Sequence, residues 1–248
     1  MSRKALLFLH GIAGSPRIFD FLQESIPPEL DAFFLVLKGH LPDEGKFGRQ
    51  SYPIWKEQVR KEVERLLSSY DSLVLVGHSM GCLLAMDMAL LFPERIEFLF
   101  LLCPPLRIHV RLFPMLKNIK CALFGTGKSE DESVLEARRC AGLLLSHNPF
   151  SYLPWARPFL SLLWNIPKVR ERIRDLKTPF HAYHCGKDEL VSLKAKKDLL
   201  LPQGKNSVLE NSSHYLFVDG ERERVLSDFK DVVALSIGKD QKQQGSRK

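Results

Sequence analysis

Leu73-Val74-Leu75-Val76-Gly77-His78-Ser79-Met80-Gly81-Cys82-Leu83-Leu84-Ala85 decides how the rest of the chain is read. Residues 73–76 form a short unbroken apolar run, the pattern of a parallel strand covered on both faces. From Met80 to Leu91 the chain is rich in Leu, Met and Ala, all strong helix formers, and Pro93 stops the run. Between strand and helix stands Gly77-His78-Ser79-Met80-Gly81, a G-x-S-x-G turn sharp enough to force Ser79 into a strained conformation and hold its hydroxyl out at the sheet end. Gly77 and Gly81 lack Cβ atoms, so strand and helix can approach closely. The N–H of Met80 opens the helix and points where an oxyanion would form.

Working outward, residues 5–9 read as a strand that runs into the loop His10-Gly11-Ile12-Ala13-Gly14-Ser15-Pro16, with Ser15 as N-cap and Pro16 at the first helical position. The Ile12 N–H in this loop is the candidate second oxyanion donor. The next strand is expected at 33–37. A helix follows from Pro53 or Ile54, with Trp55, Val59, Val63, Leu66 and Leu67 at helical spacing. Beyond the central stretch, strands are expected at 96–102, 180–184 and 207–210, and helices at 193–200 and 222–237, with a frayed tail from Gly238. This alternation specifies an α/β fold, a mostly parallel sheet with helices on both faces. Functional groups of such sheets gather beyond the carboxyl ends of the strands. Residues 104–177 break the alternation. They are helix-like, dense in Pro and aromatic residues, and read as an inserted helical cap on a core of 1–103 and 178–248. Trp155, Phe159 and Trp164 are its candidate substrate-contacting side chains; most other aromatics there are expected to pack the cap itself.

A turn serine needs a general base and a group to orient it. Asp188 lies in the loop after the strand at 180–184, and His214 in the loop after the last strand, both at the sheet edge that carries Ser79. His214 would accept the serine proton and return it to the leaving group. Asp188 would fix the imidazole tautomer, with Glu189 as the competing acid. His78 is expected to hydrogen-bond locally and His10 to be structural.

Other signals point away from other chemistries. Gly125-Thr126-Gly127-Lys128-Ser129 falls short of a phosphate-binding loop, because Ala122 stands where the first glycine belongs and Glu130-Asp131-Glu132 follows at once. The five cysteines are scattered, odd in number and in apolar surroundings, as buried thiols in a reducing compartment would be. No His/Cys spacing suggests zinc. The apolar run after Met1-Ser2-Arg3-Lys4 is too short for a signal peptide, and no run approaches a membrane span, so the cytoplasm is the expected location. The net charge is +7, and residues 104–177 supply all of it, with thirteen Lys/Arg against six Asp/Glu. That charge reads first as solvation. A nucleic-acid partner is not expected, whereas contact of the basic cap with a membrane surface stays open, as does the oligomeric state.

The landmarks Leu9-His10-Gly11, Gly39-His40, Gly77-His78-Ser79-Met80-Gly81, Phe92-Pro93-Glu94-Arg95, Gly186-Lys187-Asp188 and Ser213-His214 span residues 5–237 and resemble, in order, those of the α/β-hydrolase superfamily. Within it the chain is similar to capped monoacylglycerol-lipase-like esterases, thioesterases and C–C bond hydrolases. The resemblance implies an α/β-hydrolase fold, Ser79 as nucleophile, Asp188 and His214 as its partners, Ile12 and Met80 as backbone oxyanion donors, no metal and no cofactor. It implies a small-molecule acyl substrate, an ester or thioester with an apolar acyl part. C–C bond hydrolysis, acyl transfer on the same triad and a non-catalytic binding role are the alternatives. Two features depart from the family pattern. The strands that usually precede the His-Gly strand are missing, which leaves about six. Lys38-Gly39-His40-Leu41 lacks the Pro and second Gly usual at that motif.

Overall fold

The computed structural model describes residues 3–41, 44–109, 132–143 and 148–244, without the side chains of 44, 149 and 235–244. Much of the expected cap, including the Gly125–Ser129 stretch and Cys121, lies outside the described residues. Among the described residues six strands form one sheet: β1 (Lys4–Leu9), β2 (Asp31–Leu35), β3 (Ser72–His78), β4 (Ile96–Leu102), β5 (Phe180–Cys185) and β6 (Gly204–Leu209). Their order is β2-β1-β3-β4-β5-β6, and every pairing is parallel. The chain leaves β1 toward one edge and returns to build the rest on its other side. The loops after β1 and β3 therefore diverge at the switch point, where a crevice opens beyond the strand ends.

Alternation within the strands sorts the core into two layers. Ala5, Leu7 and Leu9 of β1 face α2 (Tyr52–Leu67), α3 (Met80–Leu91) and α5 (Ala156–Arg172). Leu6 and Phe8 face the other way, toward Ile18, Phe19 and Leu22 and toward α6 (Asp219–Gln244), which contributes Val225, Phe229 and Val233. The helical spacing expected after residue 53 is realised, with Tyr52, Trp55, Val59, Val63 and Leu66 buried. Leu162, Ile166 and Val169 of α5 pack in the same layer as α2 and α3, so this part of the expected cap shares the core.

Several boundaries differ from the sequence reading. β2 spans Asp31–Leu35, two residues earlier than expected, because side chains capture the next amides: Leu37 N–H donates to His10 and Lys38 N–H to Gln58. Residues 16–23 form a 3-10 turn and then the short α1 (Asp20–Gln23), and Ser15 does not cap with its hydroxyl, which donates instead to the Cys140 carbonyl. Leu193–Leu199 is a 3-10 helix that Ser192 caps through Lys194 N–H. α6 begins at Asp219 and continues to Gln244, through the expected tail. Among the described residues, α4 (Glu132–Arg139) is the one further α-helix, between β4 and β5.

Candidate active site

The turn after β3 has the strain its sequence implies. Ser79 sits at φ 52°, ψ −123°, a region a side chain rarely occupies, at a cost of about 1–3 kcal/mol. The glycines make the turn possible. A Cβ on Gly81 would stand 1.8 Å from the Leu9 carbonyl oxygen, and one on Gly77 would stand 2.7 Å from Cys82 N. The Ser79 Cβ is in turn so close to Gly11 that a Cβ there would be 2.9 Å away. The two loops of the switch point thus meet at Ser79. Met80 N–H, at the first position of α3, has no intrahelical acceptor. Neither it nor Ile12 N–H donates to another group among the described residues.

His214 is held at three atoms. Its Nδ1–H donates to Asp188 Oδ2 at 2.8 Å, its backbone N–H to Glu189 Oε2 at 3.3 Å, and its carbonyl accepts from His78 Nε2–H at 2.9 Å. The first bond leaves Nε2 as the free lone pair of the ring. Asp188 is 2 % exposed, and its Oδ1 accepts the N–H groups of Leu190 and Val191. Burial opposes its charge, but His214 and those amides outweigh it and hold the carboxyl below its usual range. Burial likewise opposes a charge on His214, yet the adjacent carboxylate prevails and raises its proton affinity well above that of a free imidazole.

Glu189 and Asp188 thus serve the same residue at different atoms, and the sequence shows them only as competitors. His78 departs from its expected local role: its ring bonds a residue 136 positions away, and the two imidazoles lie 4.9 Å apart. The side chain next to Ser79 therefore anchors the loop that carries His214. No local pattern shows this, since it depends on the fold bringing the end of β3 to the loop after β6.

Two further histidines brace the first loop. His10 Nδ1–H donates to the Gly11 carbonyl while its Nε2 accepts Leu37 N–H. His40 Nδ1–H donates to the Leu37 carbonyl while its Nε2 accepts Ala13 N–H, at a residue with φ 57° directly after Ile12. Both rings must be neutral to accept, and burial above all pushes their pKa values down, to about 3 for His10 and about 4 for His40. The segment between β4 and β5 returns to the same loop. Gly142 N–H donates to the Ala13 carbonyl at 2.8 Å, Leu41 N–H to the Gly142 carbonyl at 2.8 Å, and Ser15 N–H to the Cys140 carbonyl at 2.9 Å.

Of the expected substrate-contacting aromatics, two meet near this loop and one does not. Trp155 and Phe159 pack edge-on against Phe47, at 5.2 and 5.9 Å between centroids, and Phe47 packs on His40 at 5.3 Å. Trp164 lies apart, on the solvent side of α5, because the buried stripe of that helix runs through Pro158, Leu162, Ile166 and Val169.

Cys82, Cys103, Cys140 and Cys185 are free and buried. Among the described residues, His78, Cys103 and His214 are the one set of candidate metal ligands close together, within 4.8 Å of one another. His78 Nε2 and His214 Nδ1 are already committed to hydrogen bonds. The Cys103 thiol is kept protonated by its contact with Cys185, 3.3 Å away, and by burial. The arrangement is that of a hydrogen-bonded core beside the site.

A family model described as "Alpha/beta hydrolase family" matches residues 6–227. Among curated proteins none matches the sequence. Similar solved structures include one reported for the metagenome-derived lipolytic enzymes LipS and LipT, at 20 % identity and TM-score 0.69, with 94 % of each chain covered. Another, from a study of carboxylesterases of the thaumarchaeon Nitrososphaera gargenis, has 18 % identity and TM-score 0.68, covering 95 % of this chain and 92 % of that one. A monoacylglycerol lipase of Paleococcus ferrophilus has 15 % identity and TM-score 0.65, covering 92 % and 93 %. At these identities the likeness is one of fold.

Proposed function

Because the chain belongs to the alpha/beta hydrolase family, we propose that it is a serine hydrolase that cleaves a carboxylic ester or thioester with an apolar acyl part. The observation that carries this reading is the buried His214–Asp188 pair, 2.8 Å apart, tied through His78 to the strained Ser79 turn. In the proposed reaction Ser79 Oγ attacks the acyl carbonyl while His214 Nε2 takes its proton. The oxyanion is met by the N–H groups of Ile12 and Met80. His214 then gives the proton to the departing alcohol or thiol, which leaves an acyl-Ser79 ester. Water, deprotonated by the same nitrogen, attacks that ester and releases the acid. Asp188 stays ionised throughout and stabilises the imidazolium.

The apolar acyl preference rests on the Phe47–Trp155–Phe159 cluster beside the oxyanion loop. Each methylene buried against such a wall adds about 0.8 kcal/mol, so two more carbons should raise kcat/KM roughly ten-fold until the wall is covered. The test is labelling by a fluorophosphonate together with turnover of p-nitrophenyl esters from acetate to medium chains. Labelling and turnover should both vanish in Ser79→Ala. A folded Ser79→Ala protein that still turns over at the wild-type rate removes the proposed nucleophile. A profile that peaks at acetate removes the apolar acyl class.

A further inference from the structure

The outer face of α5 is apolar where a water-facing helix is expected to be polar. Its inner stripe is Leu162, Ile166 and Val169. Opposite it, Leu160, Leu163, Trp164 and Pro167 recur at spacings of three and four and form a second stripe toward solvent. The 3-10 helix that leads into α5 (Pro149–Trp155) adds Phe150 and Leu153. The exposures are large: 74 % for Trp164, 74 % for Phe150, 70 % for Leu153 and 62 % for Leu160. Single exposed apolar residues are ordinary, but several side by side mark a surface that meets something apolar.

Charge identifies what that is. Arg157 lies one turn before Leu160 and Lys168 one turn after Trp164, both exposed and on the same face as the stripe. No acidic residue occurs from Phe150 to Arg170, and residues 104–177 hold the entire +7 excess of the chain. A stripe of Leu, Trp and Phe edged by cations matches the acyl boundary of a bilayer whose headgroups are anionic: the apolar side chains sink between the chains, and the cations meet phosphate. No described helix is long and apolar enough to cross a membrane, so contact would be with one leaflet. We propose that the outer face of α5 and the preceding 3-10 helix dock this protein on an anionic lipid surface. This stands apart from the proposed chemistry, since none of the residues involved touches Ser79, Asp188 or His214.

The test is co-sedimentation of the full-length protein with vesicles of phosphatidylcholine alone and of phosphatidylcholine with one-third phosphatidylglycerol. Wild type should pellet with the anionic vesicles, and less so as salt is raised. Trp164 emission should shift to shorter wavelength on binding, whereas Trp164→Phe should still bind with most of that shift gone. Leu160→Glu/Trp164→Glu should weaken binding at least about ten-fold. Arg157→Glu/Lys168→Glu should remove the preference for phosphatidylglycerol, at about five-fold or more per cation. Fluorophosphonate labelling serves as the fold control and should be equal in all variants. Failure of wild type to bind either vesicle, or binding of Leu160→Glu/Trp164→Glu at wild-type strength, overturns the proposal. So does a wild-type dimer in light scattering that Trp164→Glu splits while vesicles stay unbound, because the face then closes on a second copy of the chain.

Discussion

Mild acid should unfold this protein through its neutral histidines, before its carboxylates titrate. His10, His40 and His78 are at most 1 % exposed, and their pKa values lie at about 3, about 4 and about 3. Burial is the main cause in all three; neighbouring imidazoles add to it at His10 and His78. In the unfolded chain each takes up a proton near pH 6.5. A folded value below the unfolded one means that the stability a group contributes is complete above that pH and is lost as pH falls toward the folded value. At about pH 5 each histidine has cost about 2 kcal/mol, and the three together about 6 kcal/mol. Total stability is typically ~5–15 kcal/mol, so this loss is decisive. His214 offsets the slope only in the upper part of the range: its folded value is raised, so its own contribution grows as pH falls toward 6.5 and is complete below it. His181, lowered to about 4, and His184 act in the same direction as the three. The assay is urea unfolding from about pH 7.5 to about pH 5, read as proton uptake from the slope of stability against pH. The slope should reach at least about three protons, or ~4 kcal/mol per pH unit, and His40→Gln should lower it by about one. A wild-type slope under about two protons, or no change in His40→Gln, refutes the reasoning.

Asp188→Asn should cost on the order of 10⁴ in turnover, because the amide no longer favours the Nδ1–H tautomer. In wild type the acid limb of kcat/KM should lie above pH 6.5, since activity is lost as pH falls through the raised His214 value; in Asp188→Asn that limb should move to lower pH. Glu189→Ala leaves the His214 N–H without its acceptor and should lower kcat about ten-fold, whereas Glu189→Gln, which keeps an oxygen there, should stay near wild type. Gly81→Ala drives a Cβ into the Leu9 carbonyl and should give little soluble protein, while Gly45→Ala, with nothing within 4 Å, should express and melt as wild type does. Arg172→Ala removes one of two cations from the buried Asp87 carboxylate, which Lys56 and Tyr52 also meet, and should cost about 2 kcal/mol in chemical unfolding.

What the sequence made legible is what local pattern encodes. The run from Leu73 to Ala85 contains its own strand, turn and helix, so Ser79 and Met80 could be placed from spacing alone. Asp188 and His214 each follow a strand, which puts them at the same sheet edge. What stayed hidden is tertiary. Nothing near His78 announces its bond to His214, and nothing near His40 announces that it accepts the Ala13 amide. The end of β2 is hidden for the same reason, since the apolar Val36 and Leu37 continue the strand pattern while side chains on other elements take the amides of Leu37 and Lys38. Trp164 reads from sequence as a pocket residue because aromatic content does not tell which side of a helix faces inward.

The bonds from Cys140 and Gly142 to residues 13–15 and 41 limit how this fold can be recombined. Exchanging the segment between β4 and β5 for a foreign one would mean cutting the chain at the two strand ends. Here such a cut would remove the partners of Ala13, Ser15 and Leu41 and release the loop that presents the Ile12 amide. A chimera that takes a foreign insertion should therefore keep residues 140–142 with the core, or import the donor's own residues equivalent to 10–15 along with it.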